Sequence, residues 1–308
     1  MQSLWMLFAS FVFAIMGVCV KLASEHYSTS EIVMYRGMVG VLVMSILIKL
    51  HGGTFKTVLA KQHLWRGAVG VSALWLWFYS IGKLPLATAM TLNYTAPIWI
   101  AAILFGLRWW RKQHRFESGL ALAIASSFAG VTLLLQPAFD AGHWFAAMIA
   151  LASGFLSALA YLQVRRLGQL GEPEYRVVFY FSLTGLVAGL VGTLFTGMTH
   201  AEQIVIWQPH TGRGIALLLG IGVSATVAQM AMTRAYRLGN TLVTANLQYT
   251  GIVFSSVWGI LIWGDTLNRI GWLGIAVILA SGLAATFYNT RNARAAGTPA
   301  PDPIASEV

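Results

Sequence analysis

The chain has 308 residues, 57% of them hydrophobic and only 10% charged, whereas a soluble domain carries about 25% charged residues. That balance excludes an ordinary soluble fold and places the chain in a bilayer. Its formal charge of +10 does not point to nucleic acid, because no basic stretch belongs to a soluble module and membrane proteins gather Lys and Arg in their cytoplasmic loops.

A spanning helix needs about 20 predominantly apolar residues. In chain order that rule gives ten candidates: 4–22, 31–49, 66–82, 86–107, 118–136, 143–163, 176–197, 213–232, 241–263 and 271–289. Met1 to Trp5 carries no basic side chain, so the first segment reads as a retained helix rather than a cleaved signal peptide. The single cysteine, Cys19, lies inside it and can build neither a disulfide framework nor a thiolate metal site. The longest connections, 50–65 and 198–212, are polar enough to sit in water. Residues 291–308, with Pro299, Pro301 and Pro303 among small polar neighbours, read as a disordered cytoplasmic tail.

The bases give the orientation. With the N-terminus inside, the cytoplasmic strips hold Lys49, Lys56, Lys61, Arg66, Arg108, Arg111, Lys112, Arg115, Arg165, Arg166, Arg176, Arg234, Arg237, Arg291 and Arg294. The other side keeps Lys83, Arg213 and Arg269. Fifteen against three predicts that both termini face the cytoplasm.

A second signal is internal. Leu92-Asn93-Tyr94-Thr95 in the fourth segment aligns with Leu247-Gln248-Tyr249-Thr250 in the ninth at an offset of 155, and Gly119 and Gly130 match Gly271 and Gly282 at an offset of 152. Two halves of five helices, an odd number, would enter the membrane in opposite senses, and inverted repeats place a solute site at their interface near the midplane.

With Tyr35-Arg36-Gly37 early in the second segment and Tyr-Thr-Ala-Pro in the fourth, the chain resembles the drug/metabolite transporter superfamily, in the branch with paired EamA domains. The resemblance implies an all-α membrane protein of ten transmembrane helices in two inverted five-helix EamA repeats, residues 3–136 and 143–290, in a bacterial inner (plasma) membrane. It also implies a permease that moves a small organic solute through a central cavity by alternating access, with segments five and ten as peripheral support. The pattern Phe13-Ala14-Ile15-Met16, Val20-Lys21, Ser30-Glu31 is reminiscent of members proposed to carry S-adenosylmethionine or other organic metabolites. An amino-acid or metabolite exporter is the alternative within transport, and a membrane-embedded enzyme is the distant one.

An ionisable residue inside a membrane is a functional candidate, because it costs about 2.5–3.5 kcal/mol at a helix centre on the insertion scale. Arg36 is the clear case, either orienting an acidic group of the solute or pairing with Glu31. Lys21 is explained by Glu25 four residues on. All ten acids lie in loops, tails or helix ends, so the membrane carboxylate that cationic-drug export uses is missing and the solute is expected to be neutral, zwitterionic or anionic. His26, His51, His63, His114, His143, His200 and His210 show no metal-ligand spacing, and no P-loop appears, so neither a cofactor nor ATP is expected.

What remains is a polar and aromatic lining. Trp75 and Tyr79 share a face in the third segment. Asn93, Tyr94 and Pro97 do the same work in the fourth, where the proline removes the hydrogen bond to the Asn93 carbonyl. Gln229, Asn246, Gln248 and Tyr249 are the candidates of the second half, with interhelical hydrogen bonding as the competing role for all of them. Gly185 and Gly189 form a small-xxx-small pair that serves either internal packing or a homodimer.

Overall fold

The structure, a computed structural model, describes residues 2–110, 118–135, 144–199, 207–264, 266 and 268–295. Every regular element among them is helical. A 3-10 turn (Gln2–Leu4) leads into α1 (Trp5–Ala23), followed by α2 (Thr29–Leu50), α3 (Ala60–Lys83), α4 (Leu86–Asn93), α5 (Ala96–Trp110) and α6 (Ser118–Leu135). Then come α7 (Trp144–Gln169), α8 (Glu174–Thr199), α9 (Gly212–Leu238), α10 (Thr241–Leu247), α11 (Thr250–Trp263) and α12 (Arg269–Ala295). Among the described residues six spans are long and apolar enough to cross a membrane: Gln2–Ala23, Thr29–Leu50, Trp144–Gln169, Glu174–Phe195, Gly212–Leu238 and Thr241–Trp263. The helix α12 continues to Ala295, five residues into the segment read as a tail, and 296–308 lie outside the described residues.

Local chemistry sets the helix ends. α2 opens with a capping box, in which Ser28 Oγ accepts from Glu31 N at 3.2 Å and the Glu31 carboxylate accepts from Ser28 N at 3.0 Å. α10 opens on Asn240, whose side-chain oxygen accepts from Leu242 N and Val243 N. The Lys21 ammonium donates to Leu84 O at 2.6 Å and Ile81 O at 3.3 Å, so it neutralises the carbonyl end of α3.

The fourth and ninth candidate segments are both broken, at matched places. Thr95 Oγ1 donates to Leu92 O at 2.9 Å between α4 and α5, and Thr250 Oγ1 donates to Leu247 O at 2.7 Å between α10 and α11. Pro97 sits buried in the first turn of α5, where a missing N–H is tolerated. The second break has no proline. There Gln248 N and Tyr249 N bond to carbonyls only three residues back, a tightening that releases the α ladder.

The dominant helix pairings are α2 with α8, α6 with α12, α1 with α9, and α3 with α7. The α2–α8 crossing brings backbone against backbone. A Cβ at Gly37 would strike Leu186 N, and one at Gly189 would strike Met34 N. Gly189 therefore serves packing inside the molecule, whereas Gly185 has only Val71 near it, at 4.0 Å. Outward faces of α2 and α8, such as Leu42, Val191 and Phe195, are exposed, as residues facing lipid would be.

Polar clasps sit at both ends of α2. In its first two turns, Glu31 Oε1 accepts from Gln208 N at 3.0 Å, and Tyr35 Oη lies 2.7 Å from His210 Nε2. Beyond its C-terminus, residues 54 and 55 are held by α8: Arg176 Nε donates to Thr54 O at 3.1 Å and Tyr180 Oη to Phe55 O at 2.8 Å. There Glu172 bridges His63 Nε2 at 2.9 Å and Arg176 Nη1 at 3.1 Å. Burial raises the Glu172 carboxyl, but hydrogen bonds from His63, Thr57 and Arg176 outweigh it and hold the group below its ordinary range. His63, in the polar first turn of α3, is held below its ordinary value by burial, against the pull of Glu172.

Candidate functional site

A cleft holding about 470 Å³ of empty space, its open mouth included, lies between α1, α2, α3, α4, α7, α8 and α9. Its walls are Phe13, Arg36, Arg66, Gly70, Ala73, Leu74, Trp77, Tyr94, Ser157, Ala160, Tyr161, Phe181 and Gln229. Four of the lining positions, Arg66, Gly70, Ala73 and Trp77, recur at helical spacing along one face of α3.

Two guanidinium groups dominate the site. Arg36 and Arg66 are each 2% exposed. The Arg36 guanidinium carbon lies 5.0 Å and that of Arg66 4.3 Å from the centroid of the Phe181 ring. Arg36 Nε and Nη1 and Arg66 Nε are buried without a hydrogen-bond partner. Arg66 Nη2 reaches Gln229 Oε1 only at 3.5 Å, beyond the usual range. Among the described residues, no Asp or Glu lines the cleft. Arg36 does not meet Glu31, whose carboxylate is engaged by Ser28 and by Gln208 N. A buried charge is normally paired, so two buried guanidinium groups with open N–H positions form a ready receptor for acidic groups.

Arg66, which the charge pattern groups with the cytoplasmic-side bases, comes with Arg36 to one ring. The signal was present, because the helical period starting at Arg66 runs straight down the face that ends in Trp77.

Of the other candidates, Tyr94 and Gln229 join Arg36 in the cleft wall. Trp75 and Tyr79 face elsewhere. Trp75 packs on Gly192 of α8 and Tyr79 is half-buried, while Trp77, almost opposite Trp75 on the helix, is the tryptophan that lines the cleft. Asn93 turns towards α7, where its Nδ2 donates to Ser153 Oγ at 2.8 Å and Ser157 Oγ at 3.2 Å. Its backbone carbonyl packs beside Gly154, and Pro97 is buried behind it. Asn246 Nδ2 donates to Ser281 O at 3.2 Å, which ties α10 to α12.

Gln248 sits one layer behind the cleft, where its Nε2 lies 3.1 Å from Tyr161 Oη. Tyr161 in turn stacks on Tyr236 with centroids 5.4 Å apart. Tyr249 is buried, with its hydroxyl unpartnered. The two helix breaks meet here as well, since a Cβ on Gly251 would strike the Tyr94 ring. Phe181 and Trp77 were not foreseen; both are ordinary members of apolar runs.

The sequence profile of the EamA-like transporter family matches in two stretches, residues 1–136 and 144–287. The pseudopaline exporter of Pseudomonas aeruginosa is 29% identical over 276 residues, covering 90% of this chain and 92% of its own. A riboflavin transporter of Vibrio cholerae is 25% identical over 300 residues, covering 95% of each chain. A solved crystal structure matches with a TM-score of 0.73 at 17% identity, over 92% of this chain and 98% of that one, which is a likeness of fold. An apolar helical chain with several membrane spans and a charged central cleft, matched by one family profile over most of its length, is thus a membrane protein that belongs to the EamA-like transporter family.

Proposed function

We propose that the chain is a secondary transporter that moves a small organic anion across the bacterial inner membrane by alternating access around the Arg36–Arg66 cleft. The observation that carries this reading is the pair of buried guanidinium groups with unpartnered nitrogens and, among the described residues, no lining carboxylate. A cation would meet two like charges there. Sequence composition allowed neutral, zwitterionic or anionic solutes; the second arginine favours the last.

The proposed architecture is ten spans in two inverted halves, with both termini cytoplasmic. Supporting it, α2 pairs with α8 and α6 with α12, each the counterpart of the other, while α1–α9 and α3–α7 exchange under the same two-fold operation. The matched breaks at Thr95 and Thr250 obey it too. Alternating access would then open and close the two polar clasps in turn, the Glu172 latch on the cytoplasmic side and the His210 clasp outside.

Purified protein in proteoliposomes should carry radiolabelled organic anions and ignore organic cations of similar size, and Arg36→Gln should abolish flux while inserting normally. Cation flux, or full anion flux in the variant, sinks the reading. A second reading rests on the aromatic walls Phe13, Trp77, Tyr94 and Tyr161: a neutral, flat-ringed solute would stack there, and the Vibrio cholerae relative is named for riboflavin. Flux of such a solute would survive Arg36→Gln.

A further inference from the structure

Resting on the reading of this cleft as the solute site, we propose that the solute is an organic dianion whose two acidic groups are held separately by Arg36 and Arg66, with its body against Phe181. The guanidinium groups lie on one ring, at 5.0 Å and 4.3 Å, so a single short molecule reaches both. The contact with the ring leaves N–H groups open, among them the unpartnered Arg36 Nε and Nη1 and Arg66 Nε. The edge of each guanidinium matches a carboxylate.

Charge balance selects two acids over one. Both arginines are buried, and among the described residues nothing acidic lines the cleft. A monoanion neutralises one guanidinium and leaves the other bare when the site closes, whereas a dianion neutralises both and lets the cleft exclude water. Gln229 and Ser157 are uncharged, so they orient the solute without altering that count.

The test uses full-length protein in detergent and in proteoliposomes, with gluconate as the only bulk anion so that chloride cannot supply a second charge. The probes are α,ω-dicarboxylates of graded chain length, their monomethyl esters, and a phosphate monoester. At the best chain length the diacid should bind and move at least about 10-fold better than its half-ester. Arg36→Gln and Arg66→Gln should each bring the diacid down to the half-ester's level, and Arg66→Lys, which keeps the charge, should restore part of the difference.

Equal transport of diacid and half-ester, or a difference that survives both glutamine variants, overturns the dianion inference and leaves an anion carrier standing. Preference for the phosphate monoester over every diacid overturns the two-group arrangement. If no anion binds while neutral ring compounds are carried, the anion reading of the cleft falls as well.

Discussion

Arg66→Met removes one of two buried permanent charges while keeping most of the side-chain volume. The two guanidinium carbons lie 5.0 Å and 4.3 Å from one centroid, so they are at most about 9 Å apart, and at an effective dielectric constant of about 20 their repulsion is at least about 2 kcal/mol. The variant loses the stacking on Phe181, about 1 kcal/mol, and a 3.5 Å contact to Gln229 that contributes little. Relief of the burial penalty on the charge adds to the gain. The solute-free variant should therefore be more stable by about 1 kcal/mol or more, a rise of roughly 1–3 °C in Tm for a chain of this size, while transport is lost. Fluorescence-detected melting in detergent, run beside liposome flux, reads both quantities. A Tm several degrees lower would mean that a partner neutralises Arg66, and the argument from unpaired charge would fail.

Acid should loosen the Glu172 latch. Both shifts are downward, so the unfolded chain takes up protons before the folded one as pH falls; the stabilisation is complete above about pH 6.5 and declines below it. His63→Gln should flatten the melting profile just below pH 6.5 and, because Thr57 and Arg176 still bind Glu172, keep part of the decline below that group's ordinary value of 4.5. Gly189→Leu should cost about 3 kcal/mol or more through backbone collision with Met34 and abolish a monodisperse chromatographic peak, whereas Gly185→Leu, with only Val71 at 4.0 Å, should be tolerated; equal behaviour would contradict the α2–α8 packing. In a Cys19→Ser background, Lys56→Cys and Gln208→Cys should be labelled by an impermeant maleimide from opposite faces of the membrane, and labelling from one face would refute the topology.

The helices were legible because long apolar runs between polar strips have few other uses, and the candidate segments fall where α1–α12 lie. The matched Leu-Asn-Tyr-Thr and Leu-Gln-Tyr-Thr motifs marked both helix breaks, though only the first carried a proline to explain it. Rotation about each helix axis was harder to read. α3 is aromatic on more than one face, so nothing in its composition separates Trp77, which lines the cleft, from Trp75, which packs on Gly192. Arg66 is hard to read for a related reason: a base at the start of an apolar run looks like a loop charge until the neighbouring helices bury it. Phe181 carries no sequence signal, because its role depends on two arginines brought from other helices.

The seven-residue helix α10 has a bearing on how the protein is made. At about 10 Å it covers only a third of a hydrocarbon core of about 30 Å, so it crosses a bilayer only together with α11, within the span Thr241–Trp263. One of its fastenings, Asn246 to the Ser281 carbonyl, lies 35 residues downstream in α12. That tie forms only after α12 has been synthesised. The same segment sets Gln248 against Tyr161 and Gly251 against Tyr94, so the layer behind the cleft is laid down after every helix that lines it.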